Sequence, residues 1–483
     1  MLVTTFILTV LVAFGDSNPA MPIYDTIIVG MGAAGCTAAA ELCKAGKKVL
    51  ALEAMDRVGG RVYTVPYGDG VVELGAEWIH GTTPSRVYDL AIQNNITILS
   101  QALDFKVFRS DGSQSEKEVI NELVDYALMS VGDPPEKPEP LGQFLTRRIT
   151  EYVQKNHPQL LNDPDFLPQF LELMDLVINN YESSNSWNDV STHSKYEQLE
   201  GDQHLSWHRN GYKTLFDILL NKYNNGPGYP TLDLKLQKVV SKISYPQEPA
   251  EDVVVECEDG SSYRARNVIV TVSLGVLKER HQTLFSPPMP VAKLESINHI
   301  SIGVVCKIIL NFDAIWWDPA MEYFVLFWRG EDKNRIATED RWSTKIDSIS
   351  MTMGSNTTFS LWTTGETAKM VETLPEEVVK RKAMELIRRF MGKNVDIPEP
   401  VGMLRSTWFS NPYTRGSYSY DNLETPNHPL ARNILGEPLV DSSGAPRVLF
   451  AGEATEPTHF STVHGATNTG FREAHRLLPK GKL

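Results

Sequence analysis

The sequence predicts an α/β fold built around a parallel sheet, and three observations near its start predict it. A short β-branched run, Asp25-Thr26-Ile27-Ile28-Val29, stops at glycine as a fully buried parallel strand does. The turn Gly30-Met31-Gly32-Ala33-Ala34-Gly35 then opens a stretch of small, helix-favouring residues, Cys36 to Ala45. A second apolar run, Lys48 to Leu52, ends on Glu53, 18 residues past Gly35, close to where a ribose-binding carboxylate belongs in a dinucleotide-binding unit.

Each piece has a physical role in such a unit. Gly30 permits the bend, Gly32 lets backbone approach a pyrophosphate, and Gly35 lets the helix pack against the strand; Ala34 lies between them. The amide-rich start of the helix would face the phosphates. A glycine turn without a ligand is the alternative, and the ordered arrival of strand, turn, helix, strand and acid weighs against it. The continuation Glu53-Ala54-Met55-Asp56-Arg57-Val58-Gly59-Gly60-Arg61 resembles the second signature of FAD-binding oxidoreductases. That resemblance implies FAD, with Glu53 and Arg61 along the cofactor, because NAD enzymes lack the continuation.

Composition narrows the setting. The chain has 483 residues, 42% of them hydrophobic, and a net charge of -14. That length allows two to three domain-sized units, and the acidic balance argues against nucleic acid and favours a cationic ligand. Met1 to Phe14 carries no charged side chain and is shorter than the roughly 20 residues that span a bilayer. With Ala13-Phe14-Gly15 at its end it reads as a signal peptide over residues 1–15, predicting a secreted or secretory-pathway protein without a transmembrane anchor. It lacks the usual basic start, so a cytoplasmic or peroxisomal location is the alternative. Asn95-Ile96-Thr97 and Asn356-Thr357-Thr358 are glycosylation sequons on the secretory reading, and the terminal Gly481-Lys482-Leu483 departs from the peroxisomal Ser-Lys-Leu signal at its first residue. Cys36 and Cys43 sit seven residues apart on one predicted helix, about 10.5 Å by the helical rise and too far to bridge. Cys257 and Cys306 read as core hydrophobes, and no spacing suggests a metal site.

Glu73-Leu74-Gly75-Ala76-Glu77-Trp78-Ile79-His80-Gly81 suits a loop that follows its backbone along a flat ligand. Here the sequence resembles the flavin amine oxidases, above all the polyamine oxidase and spermine oxidase branch. The resemblance implies that Gly75, Ala76, Glu77 and Trp78 contact FAD and that His80 faces the substrate amine. A hydrogen-bonded structural histidine is the other reading of His80, and Glu77 is less expected in that branch.

Further along, Glu151 to Val177 has helical spacing interrupted by Pro158 and Pro164, Tyr181 to Gly201 reads as loop, and Thr214 to Tyr223 as an amphipathic helix. Glu182 reads as a polyamine contact or as a solvated loop acid. The stretch from Lys238 to Val272 is β-rich, with Val240 matching the family position at the adenine end. Lys307 interrupts an apolar strand, Gly303 to Leu310; burying an ammonium requires a partner, a snorkelling path or a functional water. The matching family lysine holds a water near flavin N5. Leu374 to Phe390 reads as a surface helix, acidic at its start and basic at its end. Trp408 to Tyr420 matches the family again: Ser417 stands where monoamine oxidases carry a flavin-bonding cysteine, implying non-covalent FAD, and Tyr418 matches one wall of the aromatic cage around the amine. In the C-terminal run, Glu453 is implied near the ribityl and phosphate groups, and Thr462 falls where monoamine oxidases have a second cage tyrosine.

The resemblance therefore implies a Rossmann-like FAD-binding domain from three separated segments, 22–100, 231–310 and 445–480. An α+β substrate-binding domain, 101–230 and 311–444, is inserted between them. It implies oxidation of spermine, spermidine or their N1-acetyl forms by hydride transfer to flavin N5, with an aldehyde, a shorter amine and hydrogen peroxide as products and oxygen as co-substrate. Lys307, His80 and Tyr418 are the catalytic candidates. Alternatives are an L-amino-acid or other amine oxidase, a flavin-type histone demethylase, and a catalytically idle flavin-binding secreted protein.

Overall fold

The structure, a computed structural model, describes residues 23–102, 105–115, 117–320, 322–346, 348–393 and 395–479. The expected leader and the terminal Gly481-Lys482-Leu483 lie outside them.

The strand Ile23–Val29 pairs in parallel with Val49–Leu52 on one side and Ser262–Val270 on the other, which is why its sequence is apolar towards both faces. The helix Ala33–Lys44 follows the glycine turn. Its small residues admit the C-terminal helix Val463–Leu477 so closely that a Cβ on Gly470 would fall 2.2 Å from the Ala34 carbonyl oxygen. Two helices more than 400 residues apart in the chain are thus packed into one layer.

These strands belong to a nine-stranded sheet assembled from residues 23–52, 232–286 and 439–450. Its centre is parallel, and the strands Val240–Ser244, Val253–Cys257 and Ser262–Val270 form an antiparallel meander at one side. Each face is covered by its own buried apolar cluster. The fold is therefore the expected Rossmann-like unit from three separated segments.

A second, six-stranded sheet runs in the order Gly402–Arg405, Val305–Asn311, Thr358–Thr364, Ser348–Met351, Tyr323–Phe327 and Phe105–Arg109. The strand carrying Lys307 belongs here, although the sequence reading draws the first domain on to residue 310; Leu439–Val440, drawn in the second domain, pairs in the first sheet. An apolar run buried on both faces looks the same in either sheet, so the sequence carries no mark of the change.

Helices Lys117–Val131, Leu141–Asn156 and Phe166–Glu182 pack beside this second sheet. Pro158 opens a 3-10 turn, Pro158–Asn162, between the last two. Tyr181 and Glu182, read as loop, are the last turn of a helix that stops at Ser183, which takes a left-handed φ of 56°. The helix expected over 214–223 is shorter, Thr214–Leu219, whereas Glu376–Met391 forms as expected. No helix among the described residues is long and apolar enough to cross a membrane.

Candidate active site

One continuous cavity of about 810 Å³ extends from the glycine turn past Lys307 to the helices Lys117–Val131 and Phe166–Glu182. All the candidate site residues line it except Gly35.

At one end the cavity is built to hold phosphates. Gly32 caps the first helix without any side-chain hydrogen bond, leaving the orphan amides of the first turn for a ligand. A Cβ on Gly32 would meet no protein atom closer than 3.9 Å, so protein packing does not explain the glycine; its open side does. Gly30 and Gly35 differ: a Cβ on Gly30 would lie 2.7 Å from Thr271 Oγ1, and one on Gly35 would lie 2.0 Å from the Gly30 carbonyl oxygen. Gly35 therefore serves helix–strand packing, which is why it is absent from the cavity wall. Glu53 closes this end, its carboxylate accepting the Met31 amide at 2.6 Å and the Met55 amide at 2.9 Å. Burial pushes its pKa up against those bonds. Val240 lines the wall nearby beside Lys238 and Val239.

Arg61 and Glu453 join segments far apart in the chain. The guanidinium donates to Glu453 Oε1 and to the Ser417 carbonyl oxygen, both at 2.8 Å. Glu453 also accepts from Ser419 Oγ at 2.6 Å and the Ser461 amide at 3.0 Å. Burial alone would raise its pKa; Arg61, Ser419 and Arg432 outweigh it and hold the carboxyl below its ordinary value. Thr462 spends its hydroxyl capping the helix Val463–Leu477, accepting from the Gly465 amide at 2.9 Å and donating to the His459 carbonyl at 2.7 Å.

Lys307 sits at the middle, 4% exposed, and has the partners its burial requires. Its ammonium donates to the carbonyls of Glu73 at 3.0 Å and Gly75 at 2.9 Å and to Glu77 Oε2 at 2.6 Å, and lies 4.4 Å from the centre of the Trp362 ring. Three acceptors use its three N–H bonds. The lysine thereby pins the Gly75–Trp78 loop, which also runs so close to Arg61 that a Cβ on Gly75 would lie 1.9 Å from the Arg61 carbonyl oxygen. Glu73 lies behind the lysine, accepting from the Tyr212 amide and Thr64 Oγ1; burial raises its carboxyl to about 7, despite these bonds and Lys307.

His80 donates from Nδ1 to the Gln203 carbonyl oxygen at 2.7 Å, which fixes the tautomer and leaves Nε2 as an acceptor. Burial pulls its pKa down to about 4, so the ring is neutral at physiological pH. Trp78 stacks on Trp362 with centroids 5.8 Å apart and donates to Gln101 Oε1 at 2.7 Å.

Tyr418 donates to the Asn180 carbonyl oxygen at 2.5 Å, fixing its ring as a wall of the cavity. Beside it lie Glu182, Tyr196 and Phe460, the last two in edge contact at 5.5 Å. Burial, followed by the charge of Asp421, raises the Glu182 carboxyl to about 7. Ser417 Oγ accepts the Val305 amide at 2.8 Å, and no cysteine lines the cavity; Cys36, Cys43, Cys257 and Cys306 are buried elsewhere as free thiols. Among the described residues no cluster could hold a metal ion.

Sequence reasoning missed Glu73, Tyr323 and Trp362, which face or support this centre. Trp362 sits in a strand buried on both faces, while Glu73 and Tyr323 sit at the end and start of half-buried strands with nothing in their local pattern to set them apart, so only the unexplained charge of Lys307 hinted that something polar stood opposite.

Residues 33–478 match the family described as flavin containing amine oxidoreductase. The chain is 33% identical to the human peroxisomal N(1)-acetyl-spermine/spermidine oxidase and 31% identical to the bovine one, over 94% of this chain and 94% of each relative. It is 26% identical to the probable polyamine oxidase 5 of Arabidopsis thaliana, over 94% of this chain and 97% of that protein.

Proposed function

Because the chain belongs to the flavin containing amine oxidoreductases and is an FAD-dependent amine oxidase of the polyamine oxidase type, we propose that its substrates are spermine, spermidine or their N1-acetyl forms. On this reading the products are an aldehyde, a shorter amine and hydrogen peroxide.

The observation that carries the proposal is Glu182, a carboxylate on the cavity wall beside Tyr418 with no hydrogen-bond partner among the described residues. An acid desolvated on a cavity wall without a partner is costly, and a flexible polycation supplies what it lacks. Tyr418, Tyr196 and Phe460 then pack the methylene segments and hold a cationic nitrogen by its attraction to their faces.

The cradle at Gly32, Glu53, Arg61 and Glu453 fits FAD, and the absence of a lining cysteine supports non-covalent binding. Bound FAD supplies the acceptor for a hydride from the carbon beside nitrogen and passes the electrons to oxygen. The chain's own residues hold and orient. Lys307 fixes the loop Gly75–Trp78, Tyr418 and Glu182 place the amine chain, and neutral His80 offers Nε2 to an N–H of the polyamine other than that of the reacting nitrogen. The water expected on Lys307 has to share or displace one of its three acceptors.

An L-amino-acid oxidase needs an arginine aimed at the substrate carboxylate. The arginines on the cavity wall are Arg61, committed to Glu453, and Arg280, paired with Glu258, which supports the polyamine reading. The longest helix among the described residues has 17 residues, so nothing there resembles the long coiled-coil insertion of a flavin demethylase.

Anaerobic bleaching of the flavin by spermine, N1-acetylspermine, benzylamine and L-leucine tests the proposal. Rapid bleaching confined to the polyamines is expected; bleaching by benzylamine or L-leucine alone, or by none of the four, overturns it.

For location, the uncharged run Met1 to Phe14 reads as secretory, whereas the two mammalian relatives are named peroxisomal, which supports the alternative. Asn95 and Asn356 are both exposed, so expression of the full chain in animal cells decides: a mobility shift on N-glycosidase treatment assigns the secretory route, and a punctate peroxisomal signal without a shift assigns the alternative.

A further inference from the structure

We infer that Glu77 orients the reacting amine, by accepting the N–H of the neutral substrate on the carboxylate oxygen that Lys307 leaves free. The inference rests on the amine-oxidase reading above and adds a residue to it.

Glu77 is buried on the cavity wall, 7% exposed, between the loop that would border the cofactor and the chamber lined by Tyr323 and Trp362. One oxygen, Oε2, is held by the Lys307 ammonium at 2.6 Å. The other, Oε1, has no hydrogen-bond donor among the described residues. Buried carboxylate oxygens are ordinarily satisfied, so an unsatisfied one on a cavity wall marks the place of a donor that arrives with the ligand. Lys307 cannot turn to supply it, because its other two N–H bonds are on the carbonyls of Glu73 and Gly75.

The chemistry says what that donor would do. A neutral secondary amine has one N–H and one lone pair. When hydride leaves the neighbouring carbon, the C–H bond breaks with both electrons going to the acceptor, and the nitrogen lone pair becomes the new C=N bond. The N–H survives the step. The lone pair must therefore lie along the breaking C–H bond, and tying the N–H to a fixed acceptor sets that direction. Glu77 is itself fixed by Lys307, which packs against Trp362, which stacks on Trp78.

Glu77→Gln keeps the shape and inverts the polarity: the amide oxygen stays with the Lys307 ammonium, and the NH₂ group turns a cavity acceptor into a donor. A tertiary amine, which has no N–H when neutral, makes no such bond to Glu77 and so has none to lose by that inversion.

The test compares spermine with an analogue methylated on its internal nitrogens, near pH 10, where a substantial fraction of an alkylamine is neutral. Limiting rates of anaerobic flavin reduction are measured on the FAD-loaded wild type and Glu77→Gln. Affinities are measured separately by titrating the dithionite-reduced holoenzyme, which cannot turn the amine over. In the wild type the secondary amine is expected to react faster, and the substitution is expected to slow it roughly 10- to 100-fold, as for loss of a hydrogen bond to a charged group, while the tertiary amine changes less than about 3-fold. Affinity of the reduced enzyme for the secondary amine should fall in parallel. Equal losses for both amines would assign Glu77 a purely structural role and overturn the inference. Equal rates for both amines in the wild type overturn it without any variant, and failure of every amine to bleach the flavin refutes the amine-oxidase reading instead.

Discussion

A lysine in the middle of a β-strand is tolerated only when the surroundings are arranged for it, and Lys307 shows the arrangement at the scale of one residue. The residue is 4% exposed, and its ammonium is ringed by two backbone carbonyls, one carboxylate and an indole face. Removing one member of a buried pair strands the other, which costs more than the pair contributes. Lys307→Met leaves Glu77 buried without its cation and frees the Glu73 and Gly75 carbonyls, so a loss of about 3–5 kcal/mol is expected. Glu77→Gln should cost less, because an amide oxygen still receives the ammonium. The double variant Lys307→Met/Glu77→Gln removes both charges and should lose less than the two single losses summed, by about 1–3 kcal/mol of coupling. Urea denaturation of the four proteins closes the cycle; strict additivity would mean that the pair is not coupled. The sequence exposed half of this device. Lys307 stands out in its apolar run, whereas Glu77 sits among polar and aromatic loop residues where an acid looks like any other.

At the scale of an element, the glycine turn and its helix show how similar glycines do different work. The order strand, turn, helix, strand, acid was readable because each member leaves a distinct composition: β-branched run, glycines, small residues, apolar run, Glu53. What the order could not distinguish is which glycine is needed by the protein and which by the ligand. A methyl group on Gly35 collides with the Gly30 carbonyl oxygen at 2.0 Å, a backbone atom with nowhere to go, whereas one on Gly32, whose φ is -75°, finds nothing nearer than 3.9 Å. Gly35→Ala should therefore impair folding itself. Gly32→Ala should fold with a melting temperature of its FAD-free form close to that of the wild type, while losing FAD, since the methyl group occupies the approach to the helix amides. Melting temperature and flavin content per chain check both; Gly32→Ala retaining a full complement of FAD would remove the phosphate site from that turn. Other elements were less legible. Tyr181 and Glu182 read as loop because Ser183-Ser184 lowers helical propensity, yet the helix Phe166–Glu182 carries its last turn into the cavity wall before ending in a left-handed Ser183. Tertiary packing on the second sheet overrides the local preference there.

Across the whole molecule, two sheets share one cavity, and the groups that line it or lie behind it titrate oppositely. The change of sheet between Ser286 and Val305 left no trace in the sequence, because both sheets bury apolar strands on two faces; yet that change places Lys307 between the cofactor cradle and Glu182. Burial there raises the carboxyls of Glu73 and Glu182 to about 7 and lowers the imidazoles of His80 and His464 to about 4. A carboxyl whose folded pKa is raised stabilises the fold fully below its unfolded value near 4.5, and that contribution is lost as pH climbs through 7. A histidine whose folded pKa is lowered does the reverse: its contribution is complete above 6.5 and is lost as pH falls through 4. Between those limits two acids and two histidines oppose one another, and their joint slope is nearly flat. Glu182→Gln removes one acid, so relative to the wild type its stability should rise with pH by at most about 1.4 kcal/mol per unit between the unfolded and folded values, one proton's worth. Comparing denaturation of the two proteins from acid to neutral pH isolates this group, because every other titration cancels in the difference. The same experiment with a saturating polyamine carries the argument into function. A bound cation beside Glu182 favours its ionised form and lowers its pKa, so the advantage of Glu182→Gln near neutrality should shrink or reverse when the polyamine is present. An advantage unchanged by polyamine would place the ligand's charge away from Glu182.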